Sequence, residues 1–174
     1  MKSIHIVFPL ILGLCAAPAA YAAQTIDMHL IDAGGVGKSV GEIRAEDSPT
    51  GLVLVTDLKG LPPGAHGFHV HENPDCAAKE KDGKMTSGLA AGGHYDPDKS
   101  GKHEGPTGHG HMGDLPALTV GADGNATLRL VAPRLKLADL KGRSLMLHAG
   151  GDNYSDQPQS LGGGGARIAC GVVK

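Results

Sequence analysis

The sequence predicts an all-β domain, a sandwich or flattened barrel of about eight strands, on three observations. Short runs alternate apolar and polar residues with a period of two, turn-forming residues separate these runs, and no stretch sustains a helical period.

The first candidate strand, Thr25 to Asp32, sets Ile26, Met28 and Leu30 on one face against Asp27 and His29 on the other. Lys38 to Ala45 follows the turn Asp32-Ala33-Gly34-Gly35, and Leu52 to Leu58 follows Asp47-Ser48-Pro49. Pro62-Pro63-Gly64 then leads into Gly67 to His71. Pro116 to Val120 and Ala126 to Val131 flank Asp123-Gly124-Asn125, and in the second of them Leu128 and Leu130 oppose Thr127 and Arg129. Ser144 to His148 and Ala166 to Val173 complete the set.

Two segments break this rhythm: Glu72 to Leu115, rich in Gly, His, Pro and charge, and Ala149 to Gly165, which ends in four consecutive glycines. Loops this long are uncommon in a compact domain unless they carry function or are disordered. They hold or adjoin the histidines, which points to a site organised by metal.

The N-terminus reads as a secretory signal. Lys2 supplies a weakly positive start, Ile4 to Leu14 is mostly apolar, and Ala20-Tyr21-Ala22 is a small-residue cleavage site. Residues 1–22 are therefore expected to be removed and residues 23–174 to form one domain. The apolar run is shorter than the roughly 18 residues of a membrane span, and no later stretch is continuous enough, so no stable membrane association is expected. Cys15 follows Leu14 rather than the small residue a lipidation site prefers.

The remaining 152 residues carry 15 Lys and Arg against 18 Asp and Glu, a net charge of −3, with no basic stripe. That balance gives no reason to expect nucleic acid as a partner. Two cysteines remain, Cys76 and Cys170, and an oxidising compartment favours a disulfide between them over the alternative of two buried thiols. Only Phe68, Tyr95 and Tyr154 are aromatic, which leaves few bulky side chains to order the long loops. Metal and disulfide are expected to supply that order.

Nine histidines remain, seven of them between His66 and His111. His69-Val70-His71 places two imidazoles on one face of a strand, a pair that suits copper, zinc or nickel. His103 and His111-Met112-Gly113-Asp114 bring two imidazoles and a carboxylate into a glycine-rich loop, a set that suits zinc. His94 lies between them in Gly92-Gly93-His94-Tyr95-Asp96-Pro97, where paired glycines permit a sharp bend.

Gly67-Phe68-His69-Val70-His71, Gly92-Gly93-His94, Lys102-His103-Glu104-Gly105-Pro106, His111-Met112-Gly113-Asp114, Leu147-His148 and Gly165-Ala166-Arg167-Ile168-Ala169-Cys170-Gly171 together resemble the successive signatures of copper/zinc superoxide dismutases, in particular the bacterial periplasmic branch. The resemblance runs through essentially all of residues 23–174 and implies a Greek-key arrangement of eight strands with two long functional loops. It implies one copper and one zinc per chain, with copper held by His69, His71, His94 and His148, and zinc by His94, His103, His111 and Asp114. His94 would bridge the metals as an imidazolate. Asp152 would join the two sites by hydrogen bonds to a ligand of each. Arg167 would attract the superoxide anion beside the copper. Cys76 and Cys170 would form the disulfide.

By the same resemblance the reaction is the dismutation of superoxide to oxygen and hydrogen peroxide in the periplasm, with Arg167 guiding the anion and His94 taking up and returning a proton. Attraction of an anion to a negatively charged chain needs local positive charge. Ala149 to Gly165 contains no Lys or Arg, a departure from the eukaryotic pattern, so Lys79, Lys81 and Lys84 after Cys76 are the candidate steering residues. His66 fits a structural position that binds backbone, His29 is expected to be solvated, and His111 is preferred to His109 for zinc by its spacing to Asp114. Monomer and homodimer are both open. The rival class is a periplasmic copper or zinc carrier without turnover, which needs neither Arg167 nor a shared imidazolate. A zinc hydrolase ranks below it, because four protein ligands would close the zinc.

Overall fold

The structure, a computed structural model, describes residues 22–174, so most of the expected signal segment and Cys15 lie outside the described residues. The described residues form eleven strands and three short 3₁₀ helices, with no α-helix among them. The strands are β1 (Ala23–Asp32), β2 (Gly35–Ser48), β3 (Gly51–Leu58), β4 (Gly64–His66), β5 (Phe68–His71), β6 (Lys79–Lys81), β7 (Lys84–Thr86), β8 (Leu118–Val120), β9 (Arg129–Ala132), β10 (Ser144–His148) and β11 (Arg167–Val172).

Seven strands make one antiparallel sheet in the order β5-β10-β11-β1-β2-β3-β9. β1, β2 and β3 form a simple meander, but the chain then crosses from β3, next to the β9 edge of the sheet, to β5 at the opposite edge, and later crosses back from β9 to β10. These crossings are the Greek-key feature. β4 runs on into β5 and β8 precedes β9, so the separate pairing of β4 with β8 draws the two ends of the sheet together into a flattened barrel.

The eight expected strands are all present in outline, with three differences. First, the expected run Gly67 to His71 starts one residue later, at Phe68, and is separated from a preceding strand, β4, by Gly67. Its N–H donates to the Gly150 carbonyl at 2.8 Å and its carbonyl accepts from the His148 N–H at 2.9 Å, so its backbone serves the long second loop. Second, β6 and β7 form a hairpin inside the first loop, which the sequence pattern did not indicate because its side chains are exposed and mostly charged. Asp82 and Gly83 turn it with φ of 53° and 77°, the two left-handed positions that a type I′ turn requires. Third, a bulge around His29 shifts the register of β1 against β2. Alternation resets there, so Ile31 rather than Leu30 is buried. His29 remains partly exposed and outside the metal-competent groups, as expected, with its Nδ1 3.2 Å from the Gly37 carbonyl.

The barrel interior is filled by aliphatic side chains and Phe68, including Ile26, Ile43, Leu54, Leu118 and Leu145. Strands β5 and β10 are buried on both faces. Phe68, Val70, Leu145 and Leu147 point inward to this core. His69, His71 and His148 occupy the opposite face by period-two alternation, where the two long loops cover them. The fold thus sets a histidine-rich layer on the outside of the barrel and shields it from water. A second, smaller cluster of Ile31, Ala91 and Met146 surrounds the disulfide between Cys76 and Cys170, whose Cα atoms are 5.8 Å apart.

Candidate metal centre

Strand register brings the first group together. β5 pairs with β10 so that His69 lies opposite Met146 and His71 opposite Ser144, and His148 ends β10 beside them. The turn before His94 is tied to the same strand, since the Glu72 N–H donates to Gly93 O at 3.1 Å and the Tyr95 N–H to Val70 O at 2.8 Å. His69, His71, His94 and His148 consequently offer ring nitrogens within 4.8 Å of one another, all buried.

Each ring in this group has one nitrogen committed to a neighbour. The His71 Nδ1 donates to Gly92 O at 3.0 Å, the His148 Nδ1 to Gly165 O at 3.1 Å, and the His69 Nε2 to Asp152 Oδ2 at 2.8 Å. Carbonyl and carboxylate oxygens only accept, so the other nitrogen of each ring keeps its lone pair. Those lone pairs face inward: His69 Nδ1 and His94 Nε2 are buried without any partner, and His71 Nε2 faces His148 Nε2 at 3.3 Å. Buried acceptors confronting one another without a proton between them are costly, and a cation among them satisfies all four. This donor set fits copper.

The second group converges on a single oxygen. The Nδ1 atoms of His94, His103 and His111 lie 3.2, 3.0 and 3.5 Å from Asp114 Oδ1. Asp114 Oδ2 accepts the backbone N–H groups of Glu104 and Gly105, each at 3.2 Å, which holds the carboxylate in place. His111 stands slightly outside the tightest cluster, which consists of His69, His94, His103 and Asp114 within 4.8 Å. Three imidazoles around a carboxylate fit zinc. His94 belongs to both groups, presenting Nδ1 to Asp114 and Nε2 to the strand histidines, with its ring stacked 3.9 Å from that of His69.

Asp152 lies between the groups. Its Oδ2 accepts from His69 Nε2 and its Oδ1 from His103 Nε2 at 2.7 Å, with the Tyr154 N–H adding a third bond at 2.8 Å. Gly162 stands directly behind it in a left-handed conformation, φ 67°, and a Cβ there would overlap Asp152 Oδ1 and crowd His103 Nε2.

The charges follow from these contacts. Burial holds His94 down at about 4 and His148 at about 3, and it lowers His69 and His71 as well, so these rings are neutral and ready to bind a cation. Burial also works against charge on His103, but hydrogen bonds with Asp114 and Asp152 outweigh it and raise that ring to about 9. Asp114 and Asp152 lose solvation on burial, yet their histidine partners keep both carboxyls well below the ordinary range.

Arg167 opens β11 and is half-buried, with Nη1 on Gly88 O and Nη2 on Gly92 O, each at 2.6 Å. The Gly92 carbonyl also accepts from His71, so the guanidinium and the histidine group share a backbone atom. Burial lowers the guanidinium from its ordinary value. Lys79, Lys81 and Lys84 are exposed on the β6–β7 hairpin, and β6 packs beside the Leu89–Ala91 turn that carries these carbonyls. His66 is buried with a ring nitrogen 2.8 Å from each of the His148 and Pro62 carbonyls, and His109 is exposed outside the cluster.

Three contributors were not singled out from the sequence. Asp156 accepts the His103 N–H at 2.9 Å and the Leu161 N–H at 3.1 Å, Gly162 makes room for Asp152, and Arg134 bonds to the backbone beside His111. Asp156 could have been suspected from its place in Asn153-Tyr154-Ser155-Asp156, a polar turn in a loop already linked to metal.

Fold and site together define a β-barrel metalloprotein in which two adjoining nitrogen-rich pockets share one histidine. A profile of the family described as copper/zinc superoxide dismutase (SODC) matches residues 39–173. The chain is 53% identical over 175 residues to "Superoxide dismutase [Cu-Zn]" of Brucella abortus, with both proteins covered in full. Among solved structures, the Cu/Zn superoxide dismutase from Brucella abortus superposes with a TM-score of 0.86 at 55% identity, covering 88% of this chain and all of that one. The monomeric copper, zinc superoxide dismutase from Salmonella enterica gives 0.80 at 53% identity, again over 88% of this chain and all of that one. The chain belongs to the copper/zinc superoxide dismutase family.

Proposed function

We propose that this protein dismutates superoxide, with copper held by His69, His71, His94 and His148 and zinc by His94, His103, His111 and Asp114. One superoxide is oxidised to oxygen, and a second takes one electron and two protons to become hydrogen peroxide. The observation that carries the reading is the His94 ring, which is buried between the pockets with Nδ1 against Asp114 and Nε2 unpartnered among the strand histidines. When bound, copper supplies the one-electron exchange and zinc a fixed charge of constant oxidation state. His94 Nε2 is the atom at which the chain takes up a proton and gives it back. Arg167 receives the anion at its remaining donors, fixed in direction by Gly88 and Gly92. A carrier has no use for such a guide.

The test is superoxide decay by protein loaded with copper and zinc, with zinc alone, and with neither. Activity is expected only with copper, and a rate independent of copper would contradict the reading. Arg167→Ala is expected to lower the rate about tenfold or more, in the range of electrostatic steering, with metal content unchanged. The triple variant Lys79→Ala, Lys81→Ala, Lys84→Ala is expected to flatten the fall of rate with ionic strength; an unchanged slope removes these lysines from the account.

Asp152 orients one ligand of each metal. Asp152→Ala is expected to weaken both metals by about 10–100-fold, and Gly162→Ala to act in the same direction by displacing the carboxylate. Competition with a chelator of known affinity measures both; retained affinity in Asp152→Ala would show that the carboxylate orients nothing.

Residues 1–22 would direct the chain to the periplasm and be removed there, leaving residues 23–174 as the working domain. No helix among the described residues is long and apolar enough to cross a membrane. Every residue invoked lies on one chain, so the chemistry is complete in a monomer and compatible with a homodimer.

A further inference from the structure

Arg134 lies in the connection between β9 and the Leu137–Leu140 turn, on the body of the barrel and outside both long loops. Its guanidinium is half-buried, and it makes no ion pair among the described residues. Instead Nη2 donates to Gly110 O at 2.8 Å and Nη1 to His111 O at 3.2 Å, so one rigid fork engages two consecutive carbonyls. The firmest other ties of this segment lie two residues past His111, where the Gly113 N–H donates to Tyr95 O and the Val70 N–H to Gly113 O at 2.8 Å each, so the Gly110 and His111 carbonyls depend chiefly on Arg134. Gly110 and Gly113 flank His111 and have no side chains to pack, although their backbones press against Lys102 O and Val70 O so closely that a Cβ at either would overlap those atoms. The His111 N–H donates to Lys102 O at 2.8 Å, which leaves the carbonyl side of that peptide to Arg134.

We propose that Arg134 is a positioning residue for the zinc half of the centre, fixing the backbone on which His111 is carried and hence the approach of its Nδ1 to Asp114. The inference rests on the ligand reading given above and adds to it. It also predicts an asymmetry. His69, His71 and His148 are held by the β5–β10 ladder and do not depend on Arg134, whereas His111 lies in no strand and its segment meets β5 only from Gly113 onward.

The experiment compares Arg134→Ala, Arg134→Lys and His111→Ala with the parent chain. It records zinc affinity, copper affinity, the visible spectrum of cobalt(II) placed in the zinc pocket, and the thermal midpoint of the metal-free protein. Arg134→Ala is expected to lose about tenfold or more in zinc affinity and to alter the cobalt spectrum, with copper affinity within about twofold and the metal-free midpoint little changed. Arg134→Lys is expected to recover only part, since an ammonium keeps the charge but cannot fork across both carbonyls. Unchanged zinc affinity and cobalt spectrum would overturn the proposal. So would zinc and copper affinities that fall together with the metal-free midpoint, the mark of general destabilisation. If His111→Ala also leaves the cobalt spectrum untouched, the ligand reading fails and this proposal with it; if His111→Ala responds and Arg134→Ala does not, this proposal fails alone.

Discussion

Replacing His94 with alanine is expected to lower superoxide dismutation by at least about a hundredfold and to weaken both metals together. Partners one step removed from a metal already cost about 10–100-fold when lost, and His94 is proposed as a direct ligand of both. The geometry makes the double effect unavoidable on this account, because the two ring nitrogens face different groups: Nδ1 lies 3.2 Å from Asp114 Oδ1, while Nε2 is buried among His69, His71 and His148. Truncation would also remove the only atom assigned to proton transfer. The check is superoxide decay together with copper and zinc content on the same sample. Activity within about tenfold of the parent at full metal content would show that the shared ring is not needed.

Loss of the disulfide is the second large effect, and it falls on stability. The bond joins residues 94 apart in sequence, and the chain-entropy model assigns such a loop about 4–5 kcal/mol, an upper figure for the intact protein. Cys170→Ser is expected to lower the thermal midpoint of the metal-free protein by roughly 10 °C, given about 2–4 °C per kcal/mol for a domain of this size. A shift of less than about two degrees would mean that the loop is ordered without it. The site should feel the loss too. Cys76 anchors the segment whose neighbours bond to the Leu89–Ala91 turn, through Asn73 N–H to Ala91 O at 2.9 Å and Ala90 N–H to Ala77 O at 3.1 Å. The carbonyls at both ends of that turn, Gly88 and Gly92, hold Arg167. Covalent closure, turn and guanidinium therefore form one connected path from β11 to the histidine pocket.

How much could be read beforehand depended on whether the signal was local. His69 and His71 share a strand, so a period of two was enough to place their rings on one face. The barrel strands were legible for the same reason, through residues such as Ile26, Met28, Leu52 and Leu54. The two long loops were legible as departures from that period. Ring choice was not: which nitrogen of His69 or His148 is free depends on Asp152 and Gly165, both distant in sequence from their partners. The β6–β7 hairpin carries no apolar face, so alternation could not reveal it. The bulge at His29 is a matter of pairing with β2, which a single strand does not encode. Arg134, Asp156 and Gly162 act on backbone or carboxylate atoms far along the chain, and no spacing rule reaches them. The run of glycines at 162–165 was visible in the sequence, but not its reason: at Gly162 the need is for an absent side chain behind Asp152.

The two groups of buried nitrogens also explain why the loops can be so poor in aromatic packing. Each histidine of the strand-side group is held by a hydrogen bond on one nitrogen and left with a lone pair on the other, so a bound cation ties β5 and β10 to the loop that carries His94. Stability and activity draw on the same residues.

The most direct measurement is anomalous diffraction from crystals of the copper- and zinc-loaded protein, recorded at the absorption edge of each metal. The account predicts a copper peak among His69 Nδ1, His71 Nε2, His94 Nε2 and His148 Nε2, and a zinc peak among Asp114 and the Nδ1 atoms of His94, His103 and His111. A structure in which His94 contacts only one of the two ions, or in which copper lies away from the β5 and β10 histidines, would contradict it.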